Sequence, residues 1–342
     1  MLKTVFFFRH PHAKYFSIEK LFTEIGRRIN SLYPKEVLVE EKCMPRSSSI
    51  KSIVSNILFA KRNQADINHI TGDIHYAIIG CSKKNVNVLT IHDCVMLRRH
   101  SPTSLRFRVI KLLWYDLPVK KADVVAVIST NTFNELIHFT NCDPHKLKVI
   151  GNFVDPSFQY SPNIFNTKCP RILFIGTTPN KNLELLVEAM SGMQAILDIV
   201  GSLSKEQVTR LNQLDIRYEQ SENLSKEDLQ LKYKHCDLVA FPSTYEGFGL
   251  PIIEAQVIGR PVLTSNISPM KEVAGLGACL IDCYNSDSIR EGLIRIISDE
   301  NYRQLLIQEG LENVKQFSLD NVAEQYFSLY KEFWQKKNPY KN

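Results

Sequence analysis

The sequence predicts an α/β chain built from two consecutive doubly wound, parallel-sheet domains. Three observations carry this. Short apolar runs of buried-strand type recur at Val5–Phe8, Val37–Val39, Val86–Ile91, Val124–Ile128 and Leu147–Ile150. Helix-patterned stretches lie between them, at Ser17–Leu32, Ser47–Ala65, Thr103–Leu117 and Asn131–Phe139, and strand–helix alternation at this spacing argues for parallel sheets. After a turn-rich stretch from Asp155 to Asn163, with Pro170 soon following, the alternation starts again at Arg171–Gly176.

In the front half, Met1–Arg9 is too short for a signal-peptide core and serves as the first buried strand. Ser17, with Glu19 and Lys20 behind it, suits a helix cap. In the back half, helix Leu183–Met190, strand Ile196–Gly201, helix Lys205–Leu214, strand Ile216–Glu219, helix Lys226–His235 and strand Asp237–Phe241 follow in order. Helical runs extend from Ser286 to about Gln335. The expected domains are residues 1–160 and 161–318, with a terminal helix over 319–342 packing back toward the first. Ligands in such sheets bind beyond the carboxyl ends of the strands.

Composition excludes several classes. With 44% hydrophobic and 23% charged residues, the 342-residue chain is globular rather than disordered. No apolar run approaches the ~18 residues that span a bilayer. Eight cysteines without Cys-x-x-Cys pairing suit reduced thiols in a cytoplasmic protein. Charge is unevenly divided. Residues 1–150 hold 23 Lys and Arg against 12 Asp and Glu, a net +11, while the rest hold 19 against 24, a net −5. A basic front half suits an anionic surface or substrate. Its densest segment, residues 97–121, carries Arg98, Arg99, Arg106, Arg108, Lys111, Lys120 and Lys121 against Asp116, interleaved with apolar side chains. No nucleic-acid-binding module pattern accompanies it.

The most informative stretch is Pro242–Ala255. A buried strand ends at Phe241, glycines stand at Gly247 and Gly249, and Pro251 suits the first turn of a helix closed by Gly259. Strand, glycine-bearing loop and helix N-terminus gather free N–H groups and positive dipole, a setting for a diphosphate. Glu246 and Glu254 beside a phosphate are better suited to accept hydrogen bonds from flanking hydroxyls. A phosphate with hydroxyls on both sides describes a nucleotide sugar. Gly176-Thr177-Thr178-Pro179-Asn180-Lys181-Asn182 is a second strand-to-helix loop, where Lys181 would neutralise a diphosphate.

Glu246 and Glu254 with Gly-Phe-Gly-Leu-Pro between them, preceded by Phe-Pro-Ser and followed by Gly259-Arg260-Pro261-Val262 and Ser265-Asn266, resemble the paired-glutamate motif of the retaining family 4 glycosyltransferases. The resemblance is clear over about 171–299, looser over 86–155 and weak before 80. It implies the GT-B fold, two Rossmann-like domains facing a cleft, and leans toward the mannosyltransferase-like branch. The implied activity is retaining transfer of a mannose- or glucose-type hexose from a nucleotide diphosphate sugar to a glycan or lipid-diphosphate-linked acceptor, in surface polysaccharide synthesis. The donor set is then Gly176, Lys181, Glu246, Gly247, Phe248, Gly249, Leu250 and Glu254, with Glu246 on sugar hydroxyls and Glu254 on the ribose. His92, of Thr90-Ile91-His92-Asp93, matches the histidine that approaches the transferred sugar. His92, Lys181 and Glu246 form the catalytic set, and Arg9, His12 and Asp93 lie on the acceptor side. Members of the family are thought to use no protein nucleophile: the acceptor hydroxyl attacks the face the diphosphate leaves, and a phosphate oxygen takes its proton.

The chain departs from the family pattern at Thr177 and Asn180, where many members add an arginine. It departs also at Arg9–Phe16, where many open with Gly-Gly, and at Gly151–Asp155. No Asp-x-Asp is present, so neither a metal nor a cofactor is expected. Epimerisation on the same frame and a non-catalytic nucleotide-sugar-binding subunit are the alternative readings. The expected location is cytoplasmic, with the basic segment allowing a peripheral hold on the inner face of the cell membrane.

Overall fold

The computed structural model describes residues 1–11, 17–47 and 50–340. Contacts divide the chain into two units: residues 1–152 with 319–342, and residues 153–318. The division falls after Asn152 because Phe153, Val154 and Phe158 are buried, and Val154 N–H donates to Phe317 O at 2.9 Å within the second unit.

The first unit is a six-stranded sheet of β1 (Leu2–Phe8), β2 (Val37–Cys43), β3 (Ile67–Ile70), β4 (Val86–Ile91), β5 (Val124–Val127) and β6 (Leu147–Val149). The order is β2-β1-β3-β4-β5-β6 and every pairing is parallel. Five strands follow the apolar runs, and β3 does not. Its sequence, Ile-Asn-His-Ile, interrupts the apolar pattern, yet all four residues are buried. Asn68 is satisfied by Asn87 Oδ1 at 3.1 Å and Ala65 N–H at 2.9 Å, which removes the cost of burying its amide.

Helix Ser17–Leu32 has the expected bounds; the cap expected at Ser17 rests on a side chain outside the described set. Its buried Phe22, Ile25 and Ile29 recur at helical spacing. The helix expected over 103–117 is broken up: Leu105–Ile110 is α-helical, Lys111–Asp116 widens into a π-turn, and Leu117–Lys121 resumes the α-helix. The terminal helix Leu319–Lys337 belongs to this first unit. Arg28 clasps Asp320 at 2.6 and 2.7 Å, and Tyr33 stacks on Phe327 at 3.8 Å. At its centre the fully buried His69 bridges Tyr330 Oη and Thr90 Oγ1, both at 2.7 Å, tying helix to sheet.

The second unit repeats the plan with β7 (Arg171–Ile175), β8 (Ile196–Val200), β9 (Tyr218–Ser221), β10 (Leu238–Phe241), β11 (Val262–Ser265) and β12 (Cys279–Ile281). These run in the order β12-β11-β10-β7-β8-β9, again all parallel. Succession runs one way from β7 through β8 to β9, then resumes on β7's other side with β10. The switch point therefore lies between β7 and β10, where such sheets open a crevice at their carboxyl ends.

Burial holds His69 neutral down to about pH 3, whereas an unfolded chain protonates it near 6.5. Between those values the unfolded state binds more protons, so stability falls as pH drops below 6.5, by up to about 1.4 kcal/mol per pH unit from this residue. Urea denaturation across pH 4.5–7.5 should show a steeper acid loss for the parent protein than for His69→Asn. Equal slopes would mean that His69 does not titrate as placed.

Candidate active site

The loops after β7 and β10 meet at the second unit's switch point. After β7 the chain turns at Gly176, with φ +88°, makes a 3-10 turn over Pro179–Lys181, and enters helix Leu183–Ala189 through Asn182, with φ +66°. A Cβ on Gly176 would stand 2.9 Å from Lys181 Cε, so the glycine makes room for the lysine stem as well as for the turn. After β10 the chain passes Pro242–Phe248 and enters helix Leu250–Ile258 through Gly249, with φ +110°. In its first turn Pro251 has no N–H and Ile252 N–H goes to Gly249 O at 3.0 Å, which leaves the amides of Gly249 and Leu250 at the mouth.

Two asparagines zip the loops together. Asn180 O accepts Thr244 N–H at 2.8 Å, and Asn180 Nδ2 donates to Tyr245 O at 2.9 Å and Glu246 Oε1 at 3.3 Å. Asn182 Nδ2 donates to Pro242 O at 3.1 Å and Cys283 O at 2.6 Å. Within this frame Lys181 Nζ lies 2.6 Å from Glu246 Oε1, with the two side chains 19% and 14% exposed. The ammonium also stands 4.7 Å from the Phe241 ring centre. A pair so shielded is screened less than a surface pair and has a defined geometry.

Glu254 has a different partner. Tyr233, fully buried on helix Lys226–His235, donates its hydroxyl to Glu254 Oε2 at 2.5 Å. Burial pushes the Glu254 carboxyl up to about 7, against the Tyr233 hydrogen bond, and nearby Asp155 adds to the rise. Arg260, 2% exposed, caps both helices concerned: Nη2 donates to Lys234 O at 2.7 Å, and Nη1 reaches Ile258 O at 3.3 Å. Phe248 is buried against Phe317 with ring centres 5.6 Å apart, which fixes the loop beside Gly247.

The expected residues of the first unit lie at the ends of its own strands. His92, just past β4, is half-buried. Its Nε2 lies 2.9 Å from Thr71 O, and a carbonyl only accepts, so Nε2 carries the proton. Burial lowers its pKa, with Thr71, Asp73 and Asp93 opposing, and the ring is neutral at pH 7. Asp93 holds its own loop, Oδ1 accepting Val95 N–H at 2.9 Å. Arg9 is engaged within the unit by Glu19 at 2.7 and 2.8 Å and by Asp73 at 3.2 Å. His12 lies outside the described residues.

Sequence reasoning passed over Asn182 as a clamp, and Tyr233 and Arg260 as supports. The available signals were the asparagines flanking Lys181 and the one aromatic in the polar helix 226–235.

Two doubly wound parallel units of this kind are the GT-B glycosyltransferase fold. HepE from Anabaena, solved in complex with UDP, superposes with a TM-score of 0.77 at 16% identity, over 97% of this chain and 100% of that one. The family Glycosyltransferase Family 4 matches residues 39–158 and Glycosyl transferases group 1 matches 159–313, running unbroken through both units. Between them the two matches cover residues 39–313, so the chain resembles the family 4 glycosyltransferases over both units. O-antigen chain mannosyltransferase B of Escherichia coli is 37% identical over 105 residues, 31% of this chain and 28% of that protein. Serotype-specific mannosyltransferase WbdA of Escherichia coli is 27% identical over 265 residues, 69% of this chain. The chain spans 28% and 32% of the lengths of these two curated relatives.

Asn182→Gly keeps the left-handed backbone and removes only the side-chain hydrogen bonds, so it should cost about 1–3 kcal/mol. Asn182→Ala should cost roughly 1–2 kcal/mol more, the left-handed penalty of a Cβ. Chemical denaturation of the pair separates the two terms, and identical losses would remove the backbone part of the account.

Proposed function

We propose that the protein is a retaining hexosyltransferase that moves a mannose- or glucose-type sugar from a nucleotide diphosphate sugar to a glycan or lipid-linked glycan acceptor in surface polysaccharide synthesis. The observation that carries this reading is the shielded Lys181–Glu246 pair, set at the switch point beside the N-terminus of helix Leu250–Ile258. Matches to the family models over both units, and relatives whose names record mannosyl transfer, support it.

Lys181 spends one of its three N–H bonds on Glu246, leaving two for the diphosphate. Together with the dipole of helix Leu250–Ile258 and the amides of Gly249 and Leu250, it offsets the charge that grows as the glycosidic bond breaks. Gly176 and Gly247 leave backbone open to the donor, and Phe248 keeps that loop in place. Glu246 Oε1 takes Lys181 and Asn180, which leaves Oε2 for sugar hydroxyls. Glu254, held by Tyr233, takes the ribose. His92 serves the transferred sugar as a neutral imidazole with Nδ1 to offer, and Asp93 and His12 belong to the acceptor side. The acceptor hydroxyl forms the new bond to the anomeric carbon as the bond to the diphosphate breaks on the same face, and the departing phosphate oxygen takes the proton. The reading is metal-independent: the chain has no Asp-x-Asp, and cationic and dipolar groups already address the diphosphate.

Transfer from GDP-mannose or UDP-glucose should proceed with retention of anomeric configuration and survive EDTA, and Lys181→Ala should lower kcat on the order of 10²–10³-fold. Because the ribose hydroxyls favour the ionised Glu254, donor binding should expel its proton. Calorimetric affinity should therefore rise up to about tenfold per pH unit until pH ~7 and then level, and in Glu254→Gln it should stay flat. Inverted product or abolition by EDTA would overturn the reading; a flat parent profile would remove Glu254 from the ribose.

The membrane location rests on a separate feature of the basic segment. Leu105, Val109 and Leu112 are 77%, 41% and 48% exposed, and lie four and then three residues apart, on one side of the helical run. Arg106 and Arg108 are exposed among them, whereas Arg98 is paired with the buried Glu135 and Lys111 with Asp116 at 2.7 Å. Among the described residues no helix is long and apolar enough to cross a membrane. An apolar stripe flanked by arginines suits the surface of an anionic leaflet. Leu105→Asn with Leu112→Asn should weaken sedimentation with phosphatidylglycerol vesicles by about tenfold or more, while donor binding persists. Failure of the parent protein to bind such vesicles would withdraw the membrane assignment.

A further inference from the structure

A cavity lies in the second unit at the amino ends of β10 and β11, the opposite edge of the sheet from Lys181 and Glu246. Its volume is about 340 Å3, and two almost fully buried guanidinium groups line it, Arg260 at 2% and Arg303 at 5% exposure. Arg260 donates to backbone carbonyls, among them Ser161 O at 2.8 Å and Lys234 O at 2.7 Å. Arg303 Nη1 caps Ile296 O at 2.9 Å and Ile297 O at 3.1 Å, and its guanidinium lies 4.2 Å from the Phe165 ring centre.

These bonds leave both cations short of partners. The Nε of each is sealed from water without a hydrogen bond, and Arg303 Nη2 has no partner among the described residues. Neither guanidinium has a carboxylate within ion-pair distance among those residues. Asp237 shares the cavity wall, but its Oδ1 takes Asn166 N–H at 2.9 Å and its Oδ2 takes Arg171 N–H at 2.7 Å. Glu300 is on the exposed rim, as are Thr167 and Gln304. Asp237 still offsets Arg260 in part through space, so among the described residues Arg303 is the buried cation left without a counter-charge, and an anion that enters the cavity recovers that cost.

We propose that this cavity binds a sugar phosphate, its phosphate against Arg303 and Arg260 and its hydroxyls against Thr167, Gln304 and Glu300. The planar guanidinium fork matches phosphate geometry. The volume lies at the lower end of the range for small-ligand pockets and exceeds the need of a bare phosphate. Glu300 disfavours a bare anion and favours a ligand that brings hydroxyls to the rim. The site is separate from the donor loops and stands whether or not the sugar-transfer reading does.

Thermal unfolding with mannose 6-phosphate, inorganic phosphate and mannose, each at about 10 mM, tests this, because a ligand that binds only the folded state raises Tm. Mannose 6-phosphate should raise Tm, inorganic phosphate less, and mannose not at all. The shift should persist in Lys181→Ala, which disables the other phosphate-binding candidate. It should weaken at least tenfold in apparent affinity in Arg303→Gln and in Gln304→Glu. Arg303→Gln also uncaps two carbonyls, so Gln304→Glu, which keeps both arginines and adds charge on the exposed rim, carries the decision. A shift abolished by Lys181→Ala, a shift unaffected by Gln304→Glu, or no shift with either phosphate compound would overturn the site. Equal shifts from both would overturn its assignment to a sugar phosphate.

Discussion

The second unit's chemistry depends on one constraint: β7 and β10 are neighbours in the sheet although 62 residues of chain separate Ile175 from Leu238. That adjacency brings two glycine-bearing loops together at one edge, and Lys181 and Glu246 come to 2.6 Å apart on opposite loops. The pair would be weak if either loop were free to drift. Asn180 and Asn182 prevent drift with bonds from side chain to backbone, which hold loop to loop without adding charge. Thr264 Oγ1 to Phe241 O at 2.8 Å and Ser265 Oγ to Ser243 O at 2.6 Å then fasten the β10 loop to β11 from the other side. The site is therefore rigid through neutral hydrogen bonds, and its charges are left for a ligand.

The first unit solves a different problem with the same class of interaction. A terminal helix returning after 166 residues of the second unit has to find its groove on a sheet already covered elsewhere. Apolar contact alone would tolerate sliding along the helix axis. The Arg28–Asp320 clasp at its start and the buried His69–Tyr330 bond near its middle fix the register. A buried imidazole with both nitrogens satisfied specifies one alignment, because a shift of a turn would strand two polar groups in the core.

Much of this was legible in sequence, and the misses have physical causes. Apolar runs revealed the strands whose residues are apolar throughout. β3 escaped because its buried asparagine and histidine are paid for by partners 19 and 261 residues away, which no local window contains. The helix over 103–117 kept its amphipathic pattern, but periodicity cannot distinguish a π-turn from an α-turn over six residues. Lys181, Glu246, Gly176 and Gly249 stood out because backbone geometry and loop chemistry demand those residue types at those places. Tyr233 did not, since its value lies in meeting Glu254 across 21 residues of chain, a contact set by how two helices pack.

The two switch points also differ in charge, and that difference separates their possible substrates. At the first, between β1 and β3, Arg9 directly follows β1, and Glu19 takes it with two bonds while Asp73 takes a third. His92 adds no charge there at neutral pH, so among the described residues carboxylates prevail over free cations. Such a surface addresses hydroxyl groups far better than phosphates. At the second, between β7 and β10, the lysine and glutamate balance, the lysine keeps N–H bonds to spare, and a helix N-terminus adds positive potential. A diphosphate bound at the first would meet like charge; at the second it meets donors already in place. On the proposed reading, charge therefore favours the C-terminal unit for the diphosphate and the N-terminal one for a partner recognised through its hydroxyls.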